Sequence, residues 1–318
     1  MIDVAIMIEG QDGLNWPRWQ RMARAVEDLG FSGLFRSDHY TNAKSPDKDA
    51  LELWVSLTWL ASNTRHIDFG PLVSPVSFRH PTHTARMATA VDDLSGGRLI
   101  LGLGAGWQER EHHKFGWDLL PVAERFDRFQ EGLEVITRLL ESPQPVDFQG
   151  SYYQLREATL LPRPSREGGP PILVGGNGTK RTLPLVAHYA DEWNGVYLTR
   201  DKFRRLNEHL DRLLEAEERP ASAVRRSVMA GCEYGRTTAE VNRLVAQRTN
   251  GKRSVPELRS EGVLVGTAAD IVEQLQALAQ AGAQRVMLQW LAVDDLDRLQ
   301  DMAEAVLPEV SPERKENR

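Results

Sequence analysis

The chain has 318 residues, 41% hydrophobic and 26% charged, with a formal net charge of -6. These proportions exclude a disordered or fibrous chain, and the acidic balance argues against a nucleic-acid binder, which carries a basic stripe or patch. Cys232 is the only cysteine, so no intramolecular disulfide or multi-cysteine zinc site forms, and a reducing cytoplasm fits.

The opening MIDVAIMIEGQDG has no basic leader and its apolar run breaks at Glu9, so it reads as a first buried strand rather than a signal peptide or membrane span. Asn15 as cap, Pro17 in the first turn, the stripe Trp19, Met22, Val26 and Leu29, and Gly30 as terminator predict the first helix. Residues 32–40 read as a second strand, with a helix near 49–63. Residues 67–81 read as a third strand with an irregular exit, then a helix over 81–95. Strand four covers 98–104, and Val122, Phe126, Phe129, Leu133, Ile136 and Leu140 mark the helix behind it. Residues 147–155 look like an inserted hairpin or arm. Strand five, a glycine loop and a helix containing Pro184 follow, then strand six near 191–198 and a helix over 200–217. Strand seven over 225–234 leads into a polar segment, 235–261, with a short helix. Thr267 and Asp270 form a capping signal before a helix and strand eight, and a last helix spans 294–306. Eight strand-then-helix units with no linker composition predict one (β/α)8 TIM barrel over 1–310, with insertions in the loops at its C-terminal face and a disordered tail at 311–318. A doubly wound sheet is the alternative.

In such a barrel the chemistry sits on the loops leaving the C-terminal strand ends. Asp38 and His39 follow strand two, Trp107 and Glu109 follow strand four, Asn194 ends strand six, and Gln289 and Trp290 end strand eight. A histidine there can exchange a proton near neutral pH, with the neighbouring Asp38 fixing its tautomer, unless Asp38 only caps the next segment. Gly102, Gly104 and Gly106 miss the dinucleotide fingerprint, whose third glycine would fall on Trp107. They serve either a tight turn or a flat ligand lying on backbone. GGNGTKR (175–181), between a strand and a helix start, can present amides and Lys180 and Arg181 to an anion, or be a plain turn. Glu109, Glu111, His112 and His113 match no metal spacing and read as a solvated loop or helix start, so no metal site is expected. Cys232 reads as core.

The stretches FRSDHY, GPLVSPVSFRHPTHTARMATAVDDLSGGRLILGLGAGWQEREHHKFG, PPILVGGNGTKRTLPLVAHYADEWNG and EGVLVGTAADIVEQLQALAQAGAQRVML together resemble the bacterial luciferase-like monooxygenase superfamily, in its F420-dependent oxidoreductase branch, over nearly the whole chain. The resemblance implies a deazaflavin held at the C-terminal mouth of a TIM barrel. It implies Asp38 and His39 beside the ring, with His39 moving the proton, and a non-prolyl cis peptide with a bulge at Leu72 and Val73. It places Gly104, Ala105, Gly106 and Trp107 along the cofactor pocket, and Gly175, Gly176, Asn177, Gly178 and Thr179 as the phosphate cradle. Where sugar-phosphate dehydrogenases of this branch carry a catalytic glutamate this chain has Trp107, so Glu109 is the candidate substitute. The expected function is hydride transfer between F420 and a small organic substrate. The alternatives are a two-component monooxygenase using reduced FMN and a non-catalytic flavin-binding barrel. Loops at about 9–16, 40–49, 107–120 and 233–262 should shape the pocket, with Trp16, Trp107 and Trp290 as aromatic walls. A homodimer, and a flavin or F420 reductase as supplier of reduced cofactor, are the expected partners.

Overall fold

The computed structural model describes residues 1–311; of the tail expected at 311–318, residues 312–318 lie outside the described residues. The chain begins β1 (Asp3–Ile8), α1 (Trp16–Asp28), β2 (Gly33–Arg36), α2 (Leu53–Asn63), β3 (Asp68–Pro71), β4 (Ser74–Pro75) and α3 (Pro81–Ser95). It continues with β5 (Leu101–Gly104), α4 (Glu109–Phe115), α5 (Val122–Glu141), the antiparallel pair β6 (Val146–Gln149) and β7 (Gln154–Ala158), β8 (Ile172–Gly175) and α6 (Thr182–Tyr189). The remainder is β9 (Glu192–Val196), α7 (Arg200–Ala216), β10 (Arg225–Tyr234), α8 (Thr238–Thr249), α9 (Val255–Ser260), β11 (Leu264–Gly266), α10 (Ala268–Gln280), β12 (Arg285–Gln289) and α11 (Leu296–Val310).

The main sheet is parallel, in the order β3-β2-β1-β12-β10-β9-β8-β5-β4, with β11 added beside β10. β3 and β4 are the two halves of one stave, interrupted by the cis peptide between Leu72 and Val73. The lower half joins the chain just before β5 by the isolated Phe69–Leu99 bridge, and the upper half pairs with β5, Ser74 with Leu103 and Pro75 with Gly104. The ring therefore closes as a (β/α)8 barrel, with the hairpin β6–β7 and the segment α8–α9–β11 as insertions. Among the described residues no helix is long and apolar enough to cross a membrane.

Local signals behave as elementary chemistry requires. Asn15 Oδ1 accepts from the Arg18 amide at 3.3 Å, Gly30 adopts φ +84 after α1, and Thr267 and Asp270 form a reciprocal capping box. The helical stripe of α5 packs from Phe129 onward, whereas Val122 is exposed and Phe126 turns to the barrel mouth. The third strand, expected over 67–81, stops and restarts around Val73. The polar segment after β10 holds two helices rather than one short helix, and β11 follows it.

Inside the barrel, Ala5, Met7, Phe35, Ile100, Leu173, Met229 and Met287 fill the middle. At the N-terminal end the buried Arg285 guanidinium reaches Glu192 at 3.2 Å, pairs with Asp68 and lies over the Phe35 ring. This charged plug leaves the opposite end open for a site.

The glycines of the fourth strand are there because backbones meet. A Cβ on Gly102 would stand 2.0 Å from the Pro71 carbonyl oxygen, and one on Gly104 would stand 2.6 Å from Val73 Cγ2. Gly102→Ala should therefore destabilise the barrel by about 1–3 kcal/mol or more through overpacking. Denaturant unfolding measures it; a variant as stable as the parent would contradict this packing.

Candidate active site

The C-terminal mouth holds a cavity of about 740 Å³. Its floor is Met7, Leu72, Val73 and Met229, and one side is the run Gly104, Ala105, Gly106 and Trp107. Val73 takes its position because its neighbours lack side chains: Cβ atoms on Gly102, Gly104 and Gly175 would all lie within 3.3 Å of its methyl groups. The glycine run thus serves Val73 first, and lines the cavity as a consequence.

His39 faces this cavity with 17% of its side chain exposed. Its Nδ1 bonds Glu111 Oε1 at 2.8 Å, and the second oxygen of that buried carboxylate accepts from the Tyr40 amide at 2.9 Å. Glu111 lies in the first turn of α4, where a negative charge is favoured. With Nδ1 committed to a carboxylate, Nε2 is the ring atom left to exchange a proton; among the described residues it has no partner. The Trp107 ring, 61% exposed at the rim, stands edge-on to the imidazole at 5.5 Å between centroids.

Two expectations need correction. The group that orients His39 is Glu111, not Asp38. Asp38 is turned away into a buried pair with Arg79 at 2.5 Å and accepts from Ser74 Oγ at 2.8 Å, behind the cavity wall. Glu109, the candidate replacement acid, is the exposed first residue of α4 and is not among the cavity-lining residues. The helix turns Glu111 and His112 inward and leaves Glu109 and His113 in solvent. His112 is structural: its ring bonds the Gln108 carbonyl and Ser77 Oγ, both at 2.7 Å. Helical spacing within EREHHKFG, closed by Gly116 at φ +74, is the signal that separates Glu111 from Glu109.

Among the tryptophans, Trp107 alone walls the cavity. Trp290 is 1% exposed, bonds the Ala292 carbonyl and carries Arg298 on its face, and Trp16 packs edge-on against Trp59. Cys232 is core, its thiol pushed up to about 12 by burial. Asn194 and Gln289 do line the cavity. No residue of the 233–262 segment does; Tyr197, at the end of β9, takes that place, and sequence reasoning missed it.

Gly175, Gly176 and Thr182 line the cavity at the start of α6, while Asn177, Gly178 and Thr179 are exposed beyond it. Asn177 ties this loop down by exchanging hydrogen bonds with both the amide and the carbonyl of Val196. Gly176 has φ +130, and Gly178 approaches Thr182 so closely that a Cβ would lie 2.8 Å from its hydroxyl. Arg125 lines the same side, donating to the Leu120 and Gly106 carbonyls and, among the described residues, meeting no carboxylate. Lys180 and Arg181 are exposed, and Arg181 lies over the Phe126 ring.

Burial disfavours charge on His39, but the bond and charge of Glu111, with Glu9 and Asp38, outweigh it and raise the imidazole above its ordinary value of 6.5. Burial likewise opposes the Glu111 carboxylate, and His39 with the Tyr40 amide holds it below its ordinary 4.5. His39 therefore stabilises the fold fully below pH 6.5 and loses that contribution as pH rises through its raised value; Glu111 contributes above pH 4.5 and loses it as pH falls through its lowered one. In an NMR titration His39 should titrate above 6.5, and Glu111→Gln should bring it below, because burial then acts without its counter-charge. The variant should also lose about 1–3 kcal/mol of stability at pH 6. An unchanged His39 titration would show that Glu111 does not set its protonation.

The luciferase-like monooxygenase family model matches residues 4–255. The 4-hydroxyprotoasukamycin monooxygenase of Streptomyces nodosus subsp. asukaensis is 31% identical over 185 residues, 57% of this chain and 47% of that one. The F420-dependent hydroxymycolic acid dehydrogenase of Mycobacterium tuberculosis is 31% identical over 173 residues, 54% of this chain and 46% of that one. The chain thus spans about half the length of these curated relatives. An F420-dependent secondary alcohol dehydrogenase, solved with an F420-acetone adduct, superposes with a TM-score of 0.80 over 96% of this chain and 99% of that one at 17% identity, which is a likeness of fold. With the barrel and its mouth in place, the match over residues 4–255 decides the kinship: the chain belongs to the luciferase-like monooxygenase family.

Proposed function

We propose that the chain is an F420-dependent oxidoreductase acting on a small organic molecule, with His39 holding and releasing the proton at Nε2. The observation that carries this reading is an imidazole anchored by a buried carboxylate and facing a cavity that also offers a side-chain-free cradle. The residues present suit a flat, phosphate-bearing cofactor. Arg125 brings a positive charge with no carboxylate to answer it, Gly176 leaves bare backbone beside the start of α6, and the fully buried Asn194 Oδ1 lacks a hydrogen-bond donor. Gly175, Gly176, Thr182 and Arg125 would hold the phosphate, and Leu72, Val73, Gly104, Ala105 and Gly106 would support the ring, with Asn177, Gly178 and Thr179 shaping the outer edge of the cradle.

F420, when bound, supplies a ring carbon that gives or accepts a hydride. The chain's own residues do the rest. Glu111 keeps Nδ1 protonated, so a proton is taken or given at Nε2, and Trp107 shields that face of His39 from water. The apolar floor and the cavity walls bring substrate and imidazole together in one site, which converts an encounter in solution into a step within one complex. Relatives named for F420 favour the deazaflavin; the monooxygenase relative makes reduced FMN with oxygen the competing reading.

Fluorescence titration of the purified protein with F420 and with FMN should show tight binding of F420. Tight FMN binding with oxygen consumption driven by reduced flavin, and no response to F420, would overturn the proposal. Gly176→Leu should weaken cofactor binding roughly tenfold or more and, because Gly176 adopts φ +130, should also cost about 1–3 kcal/mol of stability; a folded variant with unchanged cofactor affinity would contradict this placement. With a substrate identified by the absorbance change of F420, His39→Ala should lower turnover by about 10²–10⁴ while cofactor affinity stays within a few-fold.

A further inference from the structure

The charges lining the cavity are segregated. At the β5–β8 side stands Arg125, bonded to carbonyl oxygens only. Diametrically across the ring, between β1 and β12, stands Glu9, whose carboxylate is met by two neutral amides. Gln11 Nε2 donates to Oε2 at 2.8 Å and Gln289 Nε2 donates to Oε1. Among the described residues no lysine, arginine or histidine pairs with Glu9. The one imidazole in the cavity is in direct contact with Glu111, and Glu9 acts on it only through its charge, without a hydrogen bond. Arg248, which acts electrostatically on neighbouring Tyr197, faces Glu233 at 3.5 Å.

The hydrogen bonds on that wall run in one direction, toward Glu9. Ser37 Oγ donates to Gln11 Oε1 at 2.6 Å, and the Tyr197 hydroxyl donates to Gln289 Oε1. A carboxylate only accepts, so each amide must turn its NH2 to Glu9 and its oxygen away, and the Ser37 and Tyr197 hydrogens are consumed on those oxygens. What the phenol has left to offer is an oxygen lone pair.

Tyr197 is also held with unusual firmness. It adopts φ +51, a left-handed conformation costly for a tyrosine, while its amide donates to the Met229 carbonyl at 2.9 Å. Gly262, from the α9–β11 insertion, lies against its backbone so tightly that a Cβ would come within 2.5 Å. The insertion beyond β10 therefore acts on the cavity through Tyr197 rather than by lining it.

We infer that the β1–β12 side of the cavity is the substrate subsite, and that Glu9 and Tyr197 select a hydrogen-bond-donating, non-anionic head group, an alcohol or an amine, over a carboxylate or phosphate. This rests on the reading of the cavity as the active site and deepens it. The anion-accepting end is the Arg125 side, so an anionic cofactor and a donor-bearing substrate occupy opposite poles without competing. Glu9 is the specificity-determining residue by charge, and Tyr197 is a positioning residue by its fixed lone pair.

The test uses three ring-matched probes, cyclohexylamine, cyclohexanol and cyclohexanecarboxylate, with binding to the cofactor-free protein followed by ligand-observed NMR. The amine and the alcohol should each bind at least roughly tenfold more tightly than the carboxylate, because a like charge facing Glu9 is a repulsive element built into the site. Glu9→Gln should collapse the amine-to-carboxylate ratio to within about threefold, while Tyr197→Phe, which keeps the ring, should weaken the alcohol several-fold and leave that ratio unchanged. Equal or tighter binding of the carboxylate, a ratio unmoved by Glu9→Gln, or no binding of any probe would overturn the inference. Cofactor titration separates the two readings. F420 binding without probe discrimination fails the inference alone, and discrimination by a protein that binds neither F420 nor FMN fails the functional reading alone.

Discussion

Everything at the mouth of this barrel depends on how Val73 is seated. Its methyl groups press against strand backbone at Gly104 on β5, where a Cβ would collide at 2.6 Å, and lie tight against Gly102 on β5 and Gly175 on β8, where one would stand 3.1–3.3 Å away. Dispersion and exclusion of water favour such contact where the opposing strands are bare, so the third stave, through Val73 and the Pro71 carbonyl, favours glycine on the next two. The same seating interrupts the stave between β3 and β4, floors the cavity, and delivers the chain to Gly175 and Gly176 with no side chains in the way. Packing requirements and an open, flat-floored cavity are here one constraint.

Above that floor the electrostatics are arranged by pairing and by leaving unpaired. Arg285 with Asp68 and Glu192 closes the lower end, and Arg79 with Asp38 and Glu52 braces the wall behind His39. Such buried pairs give position more than net stability. His39 and Glu111 form a pair whose members shift each other's protonation in the directions that favour the charged forms of both. Against this background of paired charges, Glu9 and Arg125 stand out as the two cavity groups that make no direct ion pair among the described residues, at opposite poles. A ligand with complementary ends would meet both, which is how a site of this size can impose orientation as well as affinity.

Much of the fold was legible residue by residue. The alternation of strand and helix, the Asn15 and Thr267 caps, the hairpin near 147–155 and an irregular exit to the third strand all follow from local rules, and resemblance pointed to Leu72 and Val73. The candidate site was legible in part. His39, Asn194, Gln289 and the glycine stretches could be placed at strand ends. Asp38 as the partner of His39 could not survive folding, because the chain turns its carboxylate to Arg79 while Glu111, 72 residues from His39, swings in from α4. Trp290 looked like a wall and is core; Tyr197 carried no visible signal, since its importance lies in a backbone conformation held by Gly262.

The sequence by itself determined the backbone: periodicity, caps and glycine spacing are local properties, and they specify eight strands, their helices and a bare-backbone exit from the fourth. Only the tertiary structure decided which side chains meet. Closing the ring brings residues from many loops to one mouth, and although helical spacing separates Glu109 from Glu111, only the docking of α4 decides which of them turns toward His39. That is why RLILGLGAGWQEREHHKFG shows its glycines plainly, yet the acid that matters in it is Glu111, identified by the direction in which α4 presents it.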